Sequence, residues 1–120
     1  MMKWYLSKIV YRIICGDGNH KPQFDEQLRL IHAEDEAVAF AKARAVGHRE
    51  EEIFLNEKQH LVRWEFINVS ELYKLTALID GAELYSKIQE AENAELYITT
   101  VHKKATAIQS GSTHRYLELL

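Results

Sequence analysis

A chain of 120 residues, 47% hydrophobic and 28% charged, is one domain's worth of globular protein, and its single proline excludes a proline-rich linker. The formal net charge of −3, with six neutral histidines, excludes a global basic field that would gather nucleic acid or anionic lipid. One cysteine excludes an intramolecular disulfide, so Cys15 reads as a small apolar residue in a reducing, cytoplasmic setting.

The run Trp4 to Cys15 is largely apolar, but Lys8 and Arg12 interrupt it and no small-residue cleavage site follows. It is not a signal peptide, and no stretch approaches a membrane span. In a cytoplasmic protein the Asn68-Val69-Ser70 sequon is a coincidence. Residues 3–15 alternate and are rich in Ile, Val and Tyr, which predicts a strand. Gly16-Asp17-Gly18-Asn19 supplies positions that tolerate positive φ, Pro22 ends the loop, and residues 23–33 form a second strand in a hairpin with the first.

From Glu34 to Val46 the period changes. Ala37, Phe40, Ala41 and Arg44 fall at helical spacing, three acidic residues lie at the N-terminal end, and Gly47 reads as the stop. Residues 52–55 and 61–69 make a second hairpin around a polar turn. Asp80-Gly81 is a further turn signal, after which 82–89 reads as a fifth strand or as helix. A helix over residues 92–108 follows, weakened by the β-branched run Ile98-Thr99-Thr100-Val101. Residues 109–120 read as a loop and a short apolar tail, Tyr116–Leu120. The order ββαβββα predicts a single α+β domain over 1–120. Its mostly antiparallel sheet would have about five strands, with two helices on one face.

The pieces "KWYLSKIVYRI", "QFDEQLRLI", "VRWEFINV" and "DGAELYSKI" resemble a family of small bacterial proteins catalogued as domain of unknown function 4288. The likeness runs from Lys3 to about Lys104, and its most specific parts are Gln23–Gln27 and Asp80–Leu84. It implies a free-standing cytosolic bacterial domain and carries no catalytic residues with it.

A regular hairpin about the Gly16–Pro22 loop makes paired residue numbers sum to about 38. Arg12 then faces Glu26, Ile14 faces Phe24 and Val10 faces Leu28. Trp4, Leu6 and Leu30 share this even-numbered face, so it is expected to meet the helices. The odd face, with Tyr11, Asp25, Gln27 and Arg29, is the expected open surface and the candidate interaction face, since Tyr and Arg are frequent anchors of protein interfaces. Arg12 and Glu26 are a candidate structural pair, or the acid–base groups of a pocket completed by His20. Asp17, Asn19 and His20 form the loop rim.

No nucleophile, second catalytic carboxylate or phosphate loop joins Glu26, which disfavours an enzyme. The histidines at 20, 32, 48, 60, 102 and 114 lack metal-ligand spacing, and Gly16-Asp17-Gly18 lacks a third glycine and a following helix, so no metal or cofactor is expected. Trp4 and Trp64 read as packing residues, and Lys103-Lys104 as a solvated helix end. The expected function is a non-catalytic protein-interaction module, homodimeric or of an immunity or antitoxin kind, binding neither nucleic acid nor membrane. The alternative is a small-molecule-binding or enzymatic domain with its pocket near Arg12, Glu26 and His20.

Overall fold

The strand-forming runs pair into one antiparallel sheet in a computed structural model that describes residues 1–111. In chain order the elements are β1 (Lys3–Cys15), β2 (Gln23–Ala33), α1 (Glu36–Arg49), β3 (Glu52–Leu55), β4 (Leu61–Lys74) and α2 (Ala94–Gln109). The sheet order is β2-β1-β4-β3, so the connection through α1 carries the chain from one edge of the sheet to the other. The α+β class and the first two strands stand where the periodicity placed them. The chain divides into two compact units, Met1–Tyr85 and Ser86–Leu120. The first holds the sheet and α1. The second holds α2, which starts on the Asn93 side chain and buries none of its residues. The apolar tail Tyr116–Leu120 lies outside the described residues.

Among the described residues the sheet has four strands, and residues 82–89 do not supply the expected fifth. They alternate but form no ladder with any strand of the sheet. The chain instead turns at Gly81 (φ +83°) and lays Tyr85 edge-on against Tyr73, with Lys8 over its ring. β4 runs five residues past its expected end at Val69 and pairs with β1 as far as Lys74 opposite Tyr5. Bulges between Lys8 and Ile9 and between Val10 and Tyr11 keep that long pair on the twisted sheet.

The β1–β2 register differs by two residues from the regular hairpin. Arg12 stands opposite Phe24, and Glu26 stands opposite Val10. Ile13 opposite Gln23 is the last pair of the hairpin, while Ile14 and Cys15 continue to pair only with Arg63 and Val62 of β4 on the other side of β1. The Cys15 amide donates to His20 Nε2 at 3.0 Å. A shift of two preserves the faces, so even and odd positions keep their companions.

The covering helix lies on the other face from the one expected. Tyr5, Ser7, Ile9 and Tyr11 of β1 are buried beneath α1, together with Ile31 and Ala33 of β2. β1 is a central strand, and its even positions carry Lys8 and Arg12 in mid-strand, whereas the one charge at its odd positions is Lys3, at the strand's first residue. Desolvating two cations under a helix costs more than exposing Trp4 and Leu30, so that asymmetry decides the face.

The helix meets the sheet through small residues. Ala39, Ala43 and Gly47 recur every four positions and are its buried residues. Ala39 and Ala43 pack with Tyr5, Ile31 and Ala33 in one cluster; Ile9, Tyr11 and Phe66 form the other, and Val46 and Val69 touch both. Gly47 is not the helix stop. It lies inside α1, which ends at Arg49, and a Cβ there would fall 2.3 Å from the Phe66 ring. Asp35 starts the helix by accepting from the Val38 amide at 2.9 Å.

Gly47→Ala gains about 1 kcal/mol of helix propensity, yet the overlap with Phe66 should make the variant less stable overall by roughly 1–3 kcal/mol. Urea unfolding checks this, and Phe66→Leu in the same background should recover part of the loss. A Gly47→Ala protein as stable as the parent would show that the ring does not fill that space.

Candidate functional site

Tyr11 is 1% exposed, and its hydroxyl donates to the Gly47 carbonyl at 2.8 Å. It is therefore a core residue of the covered face. Burial, and after it the nearby Glu50, raises its pKa above the ordinary tyrosine range.

Asp25, Gln27 and Arg29 do come together, at the outer strand where the end of α1 reaches the sheet. Gln27 Nε2 donates to Asp25 Oδ2 at 2.6 Å, and Arg29 Nε and Nη2 donate to Gln27 Oε1 at 3.0 and 2.7 Å. The Arg29 fork closes on Glu50, with Nη1 on Oε2 at 3.0 Å and Nη2 on Oε1 at 2.8 Å. Glu50 was not among the residues the sequence singled out. Alternation in β2 gives the facing of Arg29, but the carboxylate that meets it comes from a helix end 21 positions away.

Arg12 and Glu26 do not meet. The cation near Glu26 is Lys8, at 3.4 Å, and the same Lys8 lies 2.7 Å from Glu71. The Lys8 pKa is raised, first by its hydrogen bond to Glu71. Tyr73 also hydrogen-bonds Glu71. This cluster holds β2, β1 and β4 together across the even face. His20 belongs to the hairpin loop, where Nδ1 is 2.8 Å from the Lys21 carbonyl and Nε2 takes the Cys15 amide. Asp17 accepts from the Asn19 amide at 2.9 Å, and the Gly16 amide donates to the Leu61 carbonyl at 2.7 Å. The rim is exposed but tied to β4. Glu26 and His20 therefore each have their own partners, and neither is in ion-pair or hydrogen-bond contact with Arg12.

The surface that the sequence reading missed is the even face of β2. Phe24, Leu28 and Leu30 are 55%, 40% and 52% exposed on this outer strand, and Trp4 stacks on His32 beside them with ring centroids 4.2 Å apart. The usable signal was that the odd side of β1 carries no charge after Lys3, which assigns the core face and leaves these residues on the other. Among the described residues no group of three or more histidine, cysteine or acidic side chains is placed to hold a metal ion. No helix among them is long and apolar enough to cross a membrane.

The Arg29 and Glu50 side chains are 34% and 38% exposed, so solvent screens the pair and its worth is about 0.2–1 kcal/mol. The hydrogen bonds from Arg29 hold the Glu50 carboxyl below its ordinary pKa. A lowered folded-state pKa means that the stabilisation is complete above the unfolded-state value and disappears as the pH falls through the folded one. Glu50→Gln should therefore be less stable than the parent at neutral pH, with the gap closing below the ordinary glutamate range. Denaturant melts from neutral to strongly acidic pH measure this. A gap that persists in acid would show that the pair's charge contributes nothing.

No curated protein and no solved structure is detectably similar to the chain. The family model described as "Domain of unknown function (DUF4288)" matches residues 4–86, a span that includes α1 and almost all of the sheet. With more than half of its length matched by that model, the chain belongs to the DUF4288 family.

Proposed function

We propose that this protein is a non-catalytic protein-interaction module that joins a second copy of itself along β2. The observation that carries it is the exposure of Phe24, Leu28 and Leu30 on a strand that is also a sheet edge. An edge eleven residues long has backbone groups on its outer side, and apolar side chains beside such groups favour pairing with another strand. Two-fold pairing of two β2 strands would bury these side chains against their equivalents in the second copy. Asp25, Gln27 and Arg29, half-buried on the other side of β2, would form the polar rim of the same seam.

Charge does not oppose the contact. On the even face Lys8, Arg12 and Arg63 balance Glu26, Glu65 and Glu71, so two such faces carry both signs and no net repulsion. Lys42 Nζ hydrogen-bonds the His32 carbonyl and guards one end of the edge, which limits the pairing to the stretch before it.

Sedimentation equilibrium of the full chain across the micromolar range should give a dimer. Leu30→Glu and Phe24→Glu, both at exposed positions, should each shift the chain to monomer with unchanged thermal stability. A parent that stays monomeric at every concentration, or a dimer indifferent to both substitutions, would overturn the proposal.

A further inference from the structure

We propose that a groove between α1 and β4 binds an extended segment of a partner protein as an added strand, one that carries apolar and basic side chains. The groove is distinct from the β2 edge. Glu36, Ala37 and Phe40 of α1 form one wall, and Val69 to Leu72 of β4 form the other, around a volume of about 710 Å³. That is ample for a few residues of extended chain.

The backbone of β4 points to a strand as the occupant. β3 pairs only with Leu61–Trp64, so from Glu65 to Ser70 β4 has β1 as its sole sheet neighbour among the described residues. Side chains stand in for the strand that would continue the line of β3. The Phe66 amide donates to Glu51 Oε2 at 2.9 Å, and the Val69 amide donates to Asn68 Oδ1 at 2.9 Å. A carboxylate and an amide oxygen placed on strand amides imitate the carbonyls of a neighbouring strand. An incoming peptide can replace such contacts with ladder hydrogen bonds, which is how strand addition gains affinity.

Charge gives the side-chain preference. The charged residues lining the groove are the carboxylates Glu36 and Glu71, and Glu34 and Asp35 precede Glu36 in the chain. Glu71 already lies against Lys8, so Glu36 is the carboxylate expected to discriminate most. Phe40, 38% exposed, together with Ala37 and Leu72 supplies the apolar wall. An alternating peptide would therefore place apolar groups toward Phe40 and a basic group toward Glu36.

The test uses the full chain and three synthetic peptides: alternating valine and lysine, alternating valine and glutamate, and the lysine peptide with alternate amides N-methylated. Fluorescence anisotropy should show the lysine peptide binding, and the other two binding at least about tenfold more weakly. Glu36→Lys, an exposed change, should weaken the lysine peptide and strengthen the glutamate one. Amide exchange between Glu65 and Ser70 should slow on addition of the lysine peptide alone. Absence of binding, or binding indifferent to N-methylation or to Glu36→Lys, would overturn the proposal. Phe66 and Val69 amides as protected without peptide as the β4 amides bonded to β1 would also overturn it. Protection independent of protein concentration would give the groove to the chain's own residues, and protection rising with concentration would give it to a second copy.

Discussion

The closeness with which α1 lies on the sheet governs the rest of this molecule. Ala39, Ala43 and Gly47 present almost no side-chain bulk, so the helix backbone comes near enough for the Tyr11 hydroxyl to bond the Gly47 carbonyl and for the Phe66 ring to occupy the place of a Cβ. A helix seated this closely fixes where its C-terminal end falls. Glu50 then reaches Arg29 of β2 while Glu51 reaches the Phe66 amide of β4, so consecutive glutamates tie one helix end to two strands. The ionisable groups of β2 follow from the same constraint. Asp25, Gln27 and Arg29 sit where the helix end brings a carboxylate, and their hydrogen bonds form a ladder among themselves and onto it. Ionisable groups on an outer strand are tolerated on the core side because they are half-buried and partnered.

The strands were legible because period-two alternation and β-branched residues report local geometry, and the limits of β1, β2 and β3 agree with that signal. The helix was legible for a similar reason, but its end was not. Gly47 is an adequate helix stop in isolation, and only the Phe66 ring opposite explains a glycine inside the helix. The hairpin register was illegible because a connection of nine residues, 14 to 22, between the last paired residues Ile13 and Gln23 fits more than one alignment of the two strands. The choice of face was legible in principle. Counting apolar residues favours the even side, but weighing the charges of the central strand favours the odd one, and the penalty for burying a cation outweighs the gain from burying another apolar side chain. The candidate pair Arg12–Glu26 failed with the register, and the pair of Lys8 with Glu26 and Glu71 took its place.

The two exposed edges of the sheet are chemically different, which separates the two proposed contacts. β2 is long, and the residues beside its edge on the even face are apolar, with charge confined to Glu26 and the end guarded by Lys42. Symmetric pairing with an identical strand suits such an edge, because each apolar side chain then meets its like. The edge of β4 arises only because β3 is four residues long, and it is bordered by a helix wall. The volume of about 710 Å³ between that wall and β4 matches a few residues of extended chain. The carboxylates lining it repel their own copies under a two-fold, so an identical partner is the least suited occupant there. A short β3 thus converts the far half of β4 from a sheet interior into a one-sided slot, while the length of β2 keeps the opposite edge suited to self-pairing.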